Sequence, residues 1–192
     1  MMIWRVVKWS MLLLVLALLA FLLLYKPVRV FYPQANGLTC PSEILCIDDL
    51  SRLAMAKQLV ETATQTINTQ FEPLSFTPKF IFCSTQACFE SFGFRHAAAQ
   101  TFGDVGTVVG PRGWRDYYIR HELIHQWQAD KLGNMGVVTA PTWVIEGMAY
   151  ALSDDPRQTL SEPWQSHRQQ FEQWYDTINK QHHVVELKQF TQ

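Results

Sequence analysis

The chain has 192 residues, 48% of them hydrophobic and 17% charged, with a formal net charge of −1. Beyond residue 30, twelve basic residues face seventeen acidic ones, and that net of −5 excludes an electrostatic grip on nucleic acid. Nine Gly, nine Pro and 13% aromatics exclude a fibrous or disordered chain, and the roughly 160 residues after the first 30 amount to one domain.

The first 30 residues carry Arg5, Lys8, Lys26 and Arg29 and no acid, around a nearly continuous apolar run at 9–25. A cleaved signal peptide needs small residues before the cut, and this run ends Phe21-Leu22-Leu23-Leu24-Tyr25-Lys26 instead. An uncleaved anchor needs about 20 apolar residues, with aromatics such as Trp4, Trp9 and Tyr25 near its ends. The expectation is therefore a cytoplasmic N-terminus (1–8), one transmembrane helix (9–25), a Pro- and Gly-containing tether (26–39) and a domain (40–192). Two basic residues on each side leave the orientation to the free amine, which favours a cytoplasmic N-terminus.

The cysteines bear on the compartment. Cys40 and Cys46 bracket a short loop, as do Cys83 and Cys88. Two close pairs fit two disulfides on the oxidising side of a membrane, periplasmic or extracellular. Three connectivities are open, of which Cys40–Cys46 with Cys83–Cys88 is the simplest. Four reduced thiols, or a four-cysteine zinc site with non-standard spacing, are the alternatives.

Further along, Asp48 and Asp49 precede an amphipathic run at 50–67, with apolar residues at helical spacing. Pro73 and Pro78 interrupt the chain. Residues 79–83, 96–102 and 105–109 are strand candidates, and a turn at 110–113 leads to a helix over 114–132. Residues 133–136 (Gly-Asn-Met-Gly) stop it. A second helix starts near Thr142 and ends before Asp154, and a third is predicted over 157–180. Strands first and helices afterwards give an α+β fold.

The predicted helix at 114–132 contains His121-Glu122-Leu123-Ile124-His125, an H-E-x-x-H pattern. On a helix the two His lie about 40° apart around the axis and one turn apart along it, so both imidazoles reach one metal ion. Glu122 stands about 100° round, where it can act on water without being a ligand. Ile119, Leu123, Ile124 and Trp127 bury the other side, and a buried His–Glu–His group is costly unless something satisfies it. Glu146, on the returning helix, can stand opposite both His as third ligand. Asp130, Asp154 and Asp155 are rival carboxylates.

His121 to Trp127, followed by W-x-x-E-G-x-A at residues 143–149, resembles the gluzincin metallopeptidases, aminopeptidase N-like enzymes above all and thermolysin-like ones more distantly. The likeness covers residues 117–151, a fifth of the chain. It implies a zincin-like core, a small mixed sheet followed by helices. It also implies one Zn²⁺ per chain on His121, His125 and Glu146, with Glu122 as general base toward a zinc-activated water. Ile145 stands where that family has Asn, and no G-A-M-E-N-like segment for a substrate amino terminus is present. The expected function is hydrolysis of peptide bonds in a peptide or protein substrate by a membrane-anchored enzyme. Tyr118 and Tyr150 are candidate transition-state stabilisers. The strand at 105–109 is expected to be the sheet edge beside the zinc helix, where substrate backbone can add. Two alternatives remain: a zinc amidase on cell-wall peptides, and a tethered binding protein whose zinc site is structural or vestigial.

Overall fold

The computed structural model describes residues 2–191. Its elements are α1 (Met2–Leu24), β1 (Thr39–Ser42), β2 (Leu45–Ile47), α2 (Leu53–Gln70), β3 (Phe80–Phe82), α3 (Gln86–Ser91), β4 (Ala99–Phe102), β5 (Gly106–Val109), α4 (Asp116–Thr139), α5 (Thr142–Leu152), α6 (Trp164–Tyr175) and α7 (His183–Lys188). The fold is α+β, with one five-stranded mixed sheet in the order β1-β2-β3-β5-β4. β2, β3 and β5 run parallel, and β1 and β4 close the two edges antiparallel.

The expected transmembrane helix is corrected. α1 is helical, but no helix among the described residues is long and apolar enough to cross a membrane. The physical reason is the length of the uninterrupted apolar run. Residues 11–24 are 14 in number, and Ser10, Lys8 and Arg5 lie within the same helix. At 1.5 Å per residue the run is about 21 Å long, against a hydrocarbon core of about 30 Å. Residues 26–39, read above as a tether, are folded onto the domain. Val30 is fully buried, and Arg29 Nη1 donates to the carbonyl of Ser91 at 2.9 Å.

The three central strands are buried on both faces. Leu45, Ile47, Phe80, Phe82 and Val109 pack against the helices, while Cys46, Ile81 and Val108 meet Val30, Phe89 and Phe92 on the far side. This alternation is the two-residue period of a strand placed between two layers. The helical layer is seated by Ile119, Leu123, Ile124 and Trp127 of α4, all fully buried. At about 1.5–3 kcal/mol per large apolar side chain, these four anchor α4 in the core shared by the sheet and the other helices. Trp127 Nε1 also donates to the carbonyl of Glu72 at 2.9 Å.

The run at 50–67 is α2, entered through a 3₁₀ turn over Leu50–Arg52 whose first turn is capped by the Asp49 carboxylate. The cysteines pair as Cys40–Cys46 and Cys83–Cys88, with no free cysteine among the described residues. The third helix is shorter than the predicted 157–180. Pro163 restricts the residue before it to extended backbone. Arg168 then holds the preceding segment as a loop by donating to the carbonyls of Arg157 and Gln158. The sheet edge next to α4 is β4 and not the strand at 105–109, which lies inside the sheet between β3 and β4.

Candidate metal centre and cleft

Helical spacing places His121 and His125 one turn apart on α4, and Gly133 sets where their helix is broken. Gly133 adopts φ 76°, ψ 155°, a conformation that L side chains rarely adopt, and the chain continues in a separate helical stretch to Thr139. After Ala140 and Pro141 the chain turns back as α5, bringing Glu146 to the two imidazoles. His121 Nε2 and His125 Nε2 are 3.2 Å apart, and each lies 3.6 Å from an oxygen of Glu146. Donors about 2.0–2.1 Å from a tetrahedral zinc ion stand roughly 3.3–3.4 Å from one another. The nitrogens lie 3.2 Å apart, with Glu146 Oε2 3.6 Å from His121 and Oε1 3.6 Å from His125; one donor atom from each residue lies within 4.8 Å of the others, so the three converge on one ion, and the two-nitrogen, one-carboxylate set suits zinc. Asp48, Cys83 and Cys88 also cluster, but both sulfurs are consumed in their disulfide.

A buried Gln128 fixes the His125 ring. Its Nε2 donates to the carbonyl of Ile145 at 3.0 Å, so its Oε1 must be the atom 2.8 Å from His125 Nδ1. An oxygen there can only accept, so Nδ1 carries the proton and Nε2 is the nitrogen turned to Glu146. The contact next to Glu146 is thus made by the Ile145 backbone, and it needs no Asn side chain. Burial opposes charge on His125, but the adjoining Glu146 carboxylate outweighs it and pushes the imidazole up to about 9. Burial likewise works against ionised Glu146, yet His121 and His125 hold its carboxyl well below the usual range.

Glu122 stands outside the donor triangle and is held by a relay from the sheet. Gln126 Nε2 donates to Thr107 Oγ1 at 2.9 Å, and the Thr107 and Thr101 hydroxyls are 2.7 Å apart. Thr101 Oγ1 then donates to Glu122 Oε2 at 2.8 Å. Thr101 and Thr107 are register partners across β4 and β5, so the sheet itself positions the carboxylate.

The four residues open into a cleft of about 530 Å³, in the size range of ligand sites. One wall is β4 with the residues just before it, 96–98, and Tyr118, Tyr150 and Arg157 line it too. The Tyr150 ring packs edge-on against His121 at 4.4 Å. Burial, reinforced by the Glu146 charge, pushes its hydroxyl up to about 12, so it stays a donor at neutral pH. Of the rival carboxylates, Asp130 binds Ser75 and Lys131, exposed Asp154 pairs with Arg120 at 3.6 Å, and Asp155 grips Arg157. None joins the triangle. His96 lines the cleft, His167 packs against Trp164, and His183 is buried against Phe71 and Trp127.

Thr101, Thr107, Gln128 and Arg157 are the residues that sequence reasoning missed. Gln128 had a signal, since it shares the His face of the helix. The two Thr lie in apolar strands, where an inward-facing hydroxyl demands a partner. Compared with protein-family models, curated proteins and solved structures, the chain matches none.

Proposed function

We propose that the protein is a zinc-dependent metallopeptidase that cleaves peptide bonds in the cleft between β4 and α5. The observation that carries this reading is the pairing of three convergent donors with a carboxylate that is fixed beside them and is not one of them. His121, His125 and Glu146 would hold the ion. A divalent ion held there would supply Lewis-acid polarisation of a carbonyl and would acidify a bound water. Glu122, held beside the three donors by Thr101, is placed to take the proton of the attacking water and to give it to the leaving amine. Tyr150, a buried hydroxyl in the cleft, is placed to donate to the developing oxyanion, and Tyr118 lines the same wall. β4 has a free edge toward the cleft, where an extended peptide can add as another strand. Two disulfides support work in an oxidising compartment.

A structural zinc site needs no proton acceptor and no open cleft, which favours the enzyme over the binding protein. The test is Glu122→Gln in the zinc-loaded full chain, with hydrolysis of a denatured protein as the assay. Gln keeps the size and the Thr101 contact but cannot take the proton. Zinc content should be unchanged and the rate should fall about 10²–10⁴-fold. Equal rates in wild type and variant would end the peptidase reading.

A further inference from the structure

We propose that Arg157 is a carboxylate-binding subsite of the cleft, taking the C-terminus of the substrate or an acidic side chain close to the cleaved bond; this rests on the peptidase reading above. Three observations carry it. First, Arg157 is a fixed cation. Its Nε lies 2.9 and 3.0 Å from the two Asp155 oxygens, and its guanidinium stands 5.3–5.8 Å from the rings of Tyr117, Tyr118 and Tyr150. Second, the pair is one-sided. The Asp155 side chain is 1% exposed and that of Arg157 38%, so the carboxylate stands behind the guanidinium and a ligand meets only the cation. Nη1 has no protein acceptor among the described residues, which leaves one edge of the fork for a second carboxylate. Third, the placement suits a substrate group. Arg157 lines the same cleft as Glu122 and Glu146. Tyr150 is 4.4 Å from the His121 ring and 5.8 Å from the guanidinium carbon, so the cation lies at most about 10 Å from His121. At about 3.3–3.6 Å per extended residue, that reaches a carboxylate one or two residues beyond the scissile bond.

The charge balance agrees. Glu122 and Glu146 are matched by a divalent ion, and the other ionised side chains on the cleft wall are Arg157 and Arg112. Arg112 is engaged by the backbone, donating to the carbonyls of His96 and Ala97. Arg112 is tied there through Nη2 alone and to backbone only, whereas Arg157 is locked in place by a buried carboxylate behind it.

Binding separates this subsite from the peptidase reading, because it needs no turnover. The zinc-loaded full chain carrying Glu122→Gln is titrated calorimetrically with N-acetyl-trialanine, its C-terminal amide, and N-acetyl-dialanyl-aspartyl amide. The free acid should bind about 10–100-fold tighter than the amide, as expected for a charge-assisted contact. Tight binding by the aspartyl amide assigns the subsite to acidic side chains as well, and weak binding assigns it to the C-terminus alone. Adding Arg157→Gln should bring the ratios near one, and Arg157→Lys should leave an intermediate ratio. Equal affinity for all three peptides overturns the proposal without any variant. An acid preference that survives Arg157→Gln also overturns it, because the zinc ion would then be the carboxylate's partner. If the wild type hydrolyses nothing yet the Arg157-dependent preference is present, the peptidase reading fails and the subsite stands.

Discussion

Gln128 provides a test of how the fold tunes the proposed metal site, because it touches a proposed ligand, His125, and is not one. It is fully buried and joins two groups: His125 Nδ1 at 2.8 Å and the carbonyl of Ile145 at 3.0 Å. Gln128→Ala removes both contacts. His125 loses the acceptor that fixes its ring and tautomer, which typically lowers metal affinity 10–100-fold. That corresponds to about 1.4–2.8 kcal/mol of binding. His125 Nδ1 is left without a partner, at about 1–3 kcal/mol of folding stability unless water enters, while the Ile145 carbonyl loses one of its two acceptor contacts and keeps its place in α5. Gln128→Glu separates the two roles. It keeps an acceptor for His125 but loses the donor to Ile145, so metal affinity should hold while stability falls. Zinc affinity is read by competition with a chromophoric chelator at fixed pH, and stability by thermal melting of the metal-free protein. A folded Gln128→Ala protein with zinc affinity within twofold of wild type would refute the reasoning.

His121→Ala, His125→Ala and Glu146→Ala should each lower zinc content measured by atomic emission, and His167→Ala should not, since His167 lies outside the donor triangle. Gly147→Ala should destabilise the fold by about 1–3 kcal/mol in chemical denaturation. A Cβ there would collide with the carbonyl oxygen of His167 and come within 2.8 Å of Phe171 Cβ, so α6 would have to shift. In chelator-stripped protein the charged pair should give a defined stability profile. His125 is raised, so its contribution is complete below its ordinary value near 6.5 and is lost as pH rises through about 9. Glu146 is lowered, so its contribution is complete above its ordinary value near 4.5 and is lost in acid. Melting temperature should therefore be highest between about pH 4.5 and 6.5, and Glu146→Gln should flatten the alkaline limb.

What was legible in the sequence is what local periodicity controls. The spacing of His121 and His125 is a property of one helix, and the return of Glu146 follows from a Gly133 break, Pro141 and a second short helix. Sheet order is not local. The strand at 105–109 is apolar and Gly-flanked, as an edge beside the helix can be, but its place is set by β3 on one side and β4 on the other. β1 and β2 escaped notice because each is only three or four residues long, and the Cys40–Cys46 bridge across them reads as a loop constraint. Gly147 packs against His167 and Phe171 of α6, a choice of neighbour that no helix pattern encodes. Arg157 looked like the start of a helix, and only tertiary packing turns it into the cleft.

The surroundings of Glu146 bear on whether a metal holds this fold together or works within it. The residue before it, Ile145, is tied through its carbonyl to Gln128. The residue after it, Gly147, is wedged against α6, and Val144 and Met148 are fully buried in the core. The backbone at Glu146 is therefore fixed by neighbours on both sides before any ion is considered. The same holds for the His pair, carried on a helix anchored by Ile119, Leu123, Ile124 and Trp127. A structural metal stands in for packing that a small domain lacks, and removing it unfolds the chain. Here the packing is already present, and the three donors converge at a cleft rather than in the core. On the proposed reading this is a preorganised site, in which the rigidity of the fold holds His121, His125 and Glu146 in register with Glu122.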